Sequence, residues 1–143
     1  MNTNKFLIGG IIGAIAYFLL GWVVWGMLLM NFNMEHITEP GKAVFRGEDG
    51  MVWWALIAGN LLWGFVLSYV LSKSGVASAG SGAMVGAIFG LLVSAAINCF
   101  LYAQMNAWDT TSMGVDVIAN LVVNAITGGV VGWYLGTGRK AVA

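Results

Sequence analysis

Charge-free stretches of aliphatic, aromatic and small residues alternate along this chain with short polar links, and the stretches number four. They run from about Phe6 to Met30, Met51 to Leu71, Gly82 to Met105 and Val115 to Gly136, the last with a single acid, Asp116, at its mouth. Crossing the ~30 Å hydrocarbon core of a bilayer takes roughly 20 residues of helix at about 1.5 Å each. Each run is long enough, and none contains proline. Lipid offers no partner to free backbone N–H and C=O groups, so helix is the form such runs must take. The pattern predicts an all-α protein: a four-transmembrane-helix bundle forming one membrane domain over residues 1–143. Ala14-Ile15-Ala16 has the look of a signal-cleavage site, yet the apolar run continues for fourteen residues beyond it, where a signal would turn polar. The first segment therefore reads as a true span.

The polar residues inside these runs are spaced, not scattered. In the fourth, Asp116, Asn120, Asn124 and Thr127 follow at steps of four, four and three, which is one face of a helix. Ser94, Asn98 and Tyr102 form a similar stripe in the third run, and Asn60, Gly64 and Ser68 in the second. The first offers Gly9, Gly13, Tyr17 and Gly21. Polar side chains avoid lipid, so these faces are expected to converge. The result would be a seam of Tyr17, Asn60, Ser94, Asn98, Tyr102, Asp116, Asn120, Asn124 and Thr127, running from mid-membrane toward one surface. Such a seam has three readings: hydrogen bonds between helices, a site for a small molecule or ion, or a conduction path. Asp116 is an intramembrane acid and so a functional candidate, or a complement to the helix dipole near an N-terminus. The glycines at Gly9, Gly13, Gly21, Gly82, Gly86 and Gly90 have the small-xxx-small spacing at which membrane helices pack closely. They are expected to hold helices together or to present a ridge to a second copy.

The two halves are faintly alike. Ile12-Gly13-Ala14-Ile15 parallels Val85-Gly86-Ala87-Ile88, and Ala58-Gly59-Asn60-Leu61-Leu62 parallels Ile118-Ala119-Asn120-Leu121-Val122. Two parallel helical-hairpin repeats would give this pattern. So would chance, in a chain so rich in Gly, Ala and Leu.

Composition narrows the partners. The chain is 59% hydrophobic and 8% charged, against about 25% charged in soluble domains. Lipid must cover much of such a surface, so the bilayer is the first expected partner. Zero net charge removes nucleic acid, which needs a basic patch. Cys99 is the one cysteine, which excludes an internal disulfide or a cysteine-based metal cluster. Lys5, Lys73, Arg139 and Lys140 fall on one side of the predicted bundle, and Lys42 and Arg46 on the other, with all six acids at or near that second side. Basic residues favour the cytoplasmic face, so both termini are expected there. Trp22, Trp25, Trp53, Trp54 and Trp108 would then belt the outer interface, and Tyr69, Trp133 and Tyr134 the inner one. Trp63, near mid-membrane, reads as a packing or lipid-facing residue.

Catalytic chemistry is absent from the pattern: no Ser-His-Asp set, no paired histidines on a helix and no phosphate-cradling Gly-Lys-Ser/Thr loop. No enzyme and no cofactor is expected. His36 with Glu35 and Glu39 could approach a divalent metal, but a lone histidine lacks the second nitrogen or sulfur ligand such a site needs. The segment reads more simply as a solvated loop turning at Pro40-Gly41.

Lys5-Phe6-Leu7-Ile8-Gly9-Gly10, Phe18-Leu19-Leu20-Gly21-Trp22, Leu56-Ile57-Ala58-Gly59-Asn60-Leu61-Leu62 and Gly128-Gly129-Val130-Val131-Gly132-Trp133 together resemble a family of small bacterial four-helix inner-membrane proteins of unknown function. The resemblance spans nearly the whole chain. It implies a multi-pass protein of the bacterial inner membrane, carries over no activity, and implies an acid near the third-to-fourth helix region, matched by either Asp109 or Asp116. The expected function is structural or accessory, with self-association or a membrane-protein partner. The alternative is a small transporter or channel using the Asn-rich seam.

Overall fold

The computed structural model describes residues 3–137, so Arg139 and Lys140 of the basic set lie outside the described residues. The order is α1 (Thr3–Val23) running into a π-helical turn (Val24–Leu28), short helices α2 (Met30–His36) and α3 (Glu39–Val44), then α4 (Trp53–Lys73), α5 (Ala79–Gln104) and α6 (Thr110–Gly136). The all-α expectation holds, and four helices are long and apolar enough to cross a membrane: α1 with its π turn, α4, α5 and α6. Two boundaries move outward from the sequence reading. Helix α5 starts at Ala79 because the Ser78 side chain caps Ser81, and α6 starts at Thr110 because Asp109 caps Ser112 at 2.8 Å.

Large apolar side chains cover the outside of the bundle as well as part of its interior. Ile8, Ile11, Ile15, Leu19 and Trp22 line one exposed face of α1, and Ile118, Val122, Ile126, Val130 and Trp133 one exposed face of α6. The interior holds Leu67, Leu71, Val123 and Val131 together with the polar side chains of Ser68, Ser94, Asn124 and Thr127. Helices pack in sequential antiparallel pairs, α1 on α4 and α5 on α6, and the pairs meet chiefly where α1 lies against α6.

Glycine sets both pairings. Across α5 and α6, a methyl group at Gly82 or Gly86 would overlap the carbonyl oxygen of Gly128 or Asn124, and at Gly90 it would stand 2.6 Å from that of Asn120. Across α1 and α4, Gly64 meets the backbone of Gly10 and Ala14, while Gly13 faces Gly64 and Val131. Of the glycines expected to hold helices together or to present a ridge to a second copy, Gly9, Gly13, Gly82, Gly86 and Gly90 are buried against other helices of this chain, Gly9 against Ser68 and Leu135. Gly21 is the exception: a methyl there would meet only the Trp25 ring, at 3.6 Å, so it packs no helix.

One end of the bundle is closed by an aliphatic core of Leu67, Leu71, Val76, Val131 and Leu135, with Val85, Phe89 and Tyr134 against it. Val76 enters that core through a helix stop. Gly75 adopts φ +71°, and the Val76 N–H returns to the Leu71 carbonyl at 3.1 Å, a left-handed C-terminal turn that glycine makes without steric cost. Lys5 and Lys73 lie at this end, and Lys5 Nζ donates to the carbonyls of Leu135 and Thr137.

The other end carries a strap rather than a loose loop. Pro40 and Gly41, expected to form a turn, lie in the first turn of α3, where Thr38 caps the Gly41 N–H at 3.1 Å and proline's missing donor is harmless. Thr38 donates from Oγ1 to Asn106 O at 2.5 Å and from its backbone N–H to Ala107 O at 3.1 Å. Phe45 stacks edge-on to Trp108 at 4.8 Å. The two links at this end are thus docked on each other.

Candidate functional site

Between the strap and the closed core, side chains from all four long segments meet around Asp116. Six residues into α6, roughly 9 Å below its start, this carboxylate accepts three hydrogen bonds. Trp25 Nε1 of the π turn donates to Oδ1 at 2.9 Å; Asn98 Nδ2 of α5 and Asn120 Nδ2 donate to Oδ2 at 2.7 and 3.1 Å. The Tyr17 hydroxyl of α1 donates to Asn120 Oδ1 at 3.1 Å. One turn deeper, Trp63 Nε1 of α4 donates to Asn124 Oδ1 at 2.9 Å, while Asn124 Nδ2 donates to the Asn120 carbonyl at 2.8 Å. The network is continuous from Asp116 to Asn124. Asp116 is no helix cap, since Asp109 has that position.

The structure brings together Tyr17, Asn98, Asp116, Asn120 and Asn124 from the predicted seam, and sorts the others differently. Ser94 is buried but donates back to its own helix, to Gly90 O at 2.6 Å. Asn60 Nδ2 likewise turns back to Leu56 O at 2.8 Å. Thr127 is fully buried below Asn124, and its hydroxyl finds no partner among the described residues. Tyr102 points away, 53% exposed near the end of α5. Its i+4 spacing was right for the stripe, but past Asn98 the helix face no longer meets a neighbour.

Trp25 and Trp63 are the network members that the sequence reading assigned elsewhere, to the interfacial belt and to packing or lipid. A signal for Trp25 was present: it extends the Gly9, Gly13, Tyr17, Gly21 stripe by one more step of four. Trp63 stands beside Gly64, one position off its stripe, so a strict i+4 count passes it by.

Where α1 and α4 part above Gly64, a half-open cleft of about 920 Å³ lies over the network. Tyr17, Asn60, Asp116 and Asn120 form its polar floor and side, and Phe18, Trp22, Trp25, Met51, Trp53 and Leu56 its apolar wall, with Gly21 and Gly26 giving the width. No family model, curated protein or solved structure matches the chain. What the cleft does has to be read from its own chemistry.

Asn98 Nδ2 is also held by Ser94 O, at 3.0 Å, and Asn120 Nδ2 by Asp116 O, at 3.0 Å, with Asn120 Oδ1 occupied by the tyrosine hydroxyl. Both amides are thereby fixed with their N–H₂ groups toward Asp116. Every group bonded to its carboxylate oxygens is a neutral donor. Among the described residues no cation stands within 4 Å of it; the ion pairs are His36 with Asp109 at 2.6 Å and Lys42 with Glu39 at 2.7 Å.

The metal candidates do not assemble. His36 is engaged by Asp109, Glu39 by Lys42, and Glu35 joins neither; the described residues contain no group of three metal-ligating side chains. The His36 contact serves the strap instead. The hydrogen bond from the imidazole, then that from the Ser112 backbone N–H, holds the Asp109 carboxyl below its ordinary value of 3.8.

Proposed function

We propose that this chain is a multi-pass membrane protein that binds a small solute in a cleft entered from its outer side, as a small transporter does. The reading rests on one observation: a carboxylate bonded only by neutral donors, with no cation within 4 Å among the described residues, at the floor of a half-open cleft within a span. Interhelical hydrogen bonds in membranes average about 0.6 kcal/mol each. The four that cross between segments here, from Tyr17, Trp25, Trp63 and Asn98, together offset less than the several kcal/mol that taking an ion out of water costs. A structural role alone would be met more cheaply by asparagine. The aliphatic core that closes the opposite end favours a binding cleft with access from one side over an open channel. A purely accessory role with self-association through glycine loses its motif, because those glycines are buried against other helices of the same chain.

The exposed aliphatic faces support the bilayer setting, and the basic residues at the Lys5 and Lys73 end support a cytoplasmic location for both termini. The family resemblance supports the bacterial inner membrane. Single cysteines in a Cys99→Ala background test cleft and orientation together. A membrane-impermeant maleimide should label Asn60→Cys on intact cells, and Ser74→Cys only after lysis. Labelling of Ser74→Cys on intact cells would reverse the orientation. If Asn60→Cys stayed unlabelled even after lysis, the cleft would be dry and the reading would fall.

A further inference from the structure

We propose that the cleft takes a small organic cation, with an ammonium group held against Asp116 beside the aromatic wall of Trp22, Trp25 and Phe18. The proposal deepens the solute-binding reading and rests on it.

Three observations select this class. First, the groups around Asp116 are all donors, and they bring it no counter-charge. Trp25 Nε1, Asn98 Nδ2 and Asn120 Nδ2 are all neutral, and the second bonds of the two asparagines prevent either amide from turning its oxygen toward the carboxylate. A carboxylate has about four lone-pair sites. Two donors share Oδ2 and one uses Oδ1, which leaves a position on Oδ1, and Asp116 lines the cleft. Second, the wall beside this position is aromatic. Cations are attracted to the faces of such rings within about 6 Å of their centroids, most strongly for tryptophan. Trp22, 64% exposed, lies over Gly26 at the edge of this wall, where its ring is open to a ligand. Third, the cleft is far larger than an ion. A bare divalent cation asks for six or more oxygens. Here it would find Asp116, the Asn60 amide and the Tyr17 hydroxyl among otherwise carbon surfaces. An organic cation uses both properties, placing its charge at the floor and its apolar substituents on the wall.

An ammonium group of this kind can arrive on a free solute or on a lipid headgroup, and the test separates the two. The full chain is placed in nanodiscs of phosphatidylglycerol, which has no ammonium group, and titrated calorimetrically with benzyltrimethylammonium and with its neutral isostere neopentylbenzene. The cation should bind at least tenfold more tightly than the isostere. Asp116→Asn should remove that preference, and Trp22→Leu should weaken cation binding severalfold. Among discs of one fixed phosphatidylglycerol content, diluted with phosphatidylcholine or with an uncharged glycolipid, weaker apparent binding of the probe in the phosphatidylcholine discs would identify the lipid headgroup as a competing occupant, and equal binding would identify a free solute; both support the ammonium site. Equal affinity for cation and isostere, or full cation binding by folded Asp116→Asn, would overturn the cation while leaving a solute-binding cleft. Absence of all binding, with Asn60→Cys still open to the impermeant label, would also overturn it. If Asp116→Asn fails to fold, Trp22→Leu decides: unchanged cation affinity there counts against the proposal.

Discussion

The two helical hairpins of this protein begin alike and end differently. In both, a glycine of the leading helix meets the corresponding position of the returning one: Gly13 with Gly64 in α1 and α4, Gly86 with Asn124 in α5 and α6. Gly13 and Gly86 are matched positions in the faint internal likeness of the sequence, and Gly64 and Asn124 each lie four residues beyond its matched Asn60 and Asn120. In the second hairpin the close approach continues outward, from Gly82 through Gly90 to the Asn98–Asp116 bond. In the first it stops at Gly64. Above that point Asn60 turns its amide back on its own helix, α1 widens into a π turn closed by the Leu29 N–H on the Val24 carbonyl at 2.8 Å, and the helices part around the cleft. π turns are rare and gather at functional sites. One hairpin is built to be rigid, and the other spends its outer half on an opening.

Glycine substitutions test that contrast most severely. Gly86→Ala places a methyl on the Asn124 carbonyl, with backbone on both sides and nothing able to swing away. The expected loss is at or above the ~3 kcal/mol top of the usual overpacking range, read as a lowered midpoint in equilibrium unfolding in mixed micelles. A midpoint unchanged from the parent would mean that the hairpin is not held by backbone contact. Gly10→Ala, in the first hairpin, should cost less, about 1–2 kcal/mol, because its methyl meets the Phe65 ring, a side chain that can rotate.

On the open side the sign should change. Nothing lies within 4 Å of a methyl at Gly59, so Gly59→Ala should stabilise by up to about 1 kcal/mol through helix propensity alone. Destabilisation there would show that the first hairpin is packed at that level after all.

The smallest effect concerns the strap over the outer end. Asp109 titrates below its ordinary 3.8 because His36 and the Ser112 N–H favour its ionised form. A carboxyl whose value is depressed on folding contributes stability that is present above 3.8 and lost as pH falls through the lower folded value. Hydrogen exchange at the Thr38 and Asp109 amides, both bonded across the strap, should accelerate in that acid range. His36→Gln should move the onset upward toward pH 3.8. An onset that stays where it was would remove His36 from the strap's acid response.

Much of this was legible in the linear pattern. Four uncharged runs of membrane length gave the helices, and i+4 stripes gave the polar face of each. The stripe of α6 reads correctly from Asp116 to Thr127. The departures share a cause. Tyr102 fits its stripe yet stays 53% exposed; Asn60 and Ser94 spend a hydrogen bond within their own helices; Trp25 turns inward an indole N–H that an interfacial reading turned outward, and Trp63, read as packing or lipid-facing, packs on Tyr17 and donates to Asn124. The docking of the strap was equally hidden, because its bonds join residues about 70 positions apart, Thr38 to Asn106 and His36 to Asp109.

The sequence by itself determined that there would be four long helices, that their outer faces would be aliphatic and that their polar residues would share faces. Those are local consequences of helical period and of lipid's inability to satisfy polar groups. Only the tertiary structure decided that α1 and α6 form the seam between the hairpins, that Asp116 gathers donors from three segments, and that the first hairpin opens. Periodicity assigns a residue to a side of its helix; which helix it meets, and at what height, depends on glycine contacts made between chain positions far apart.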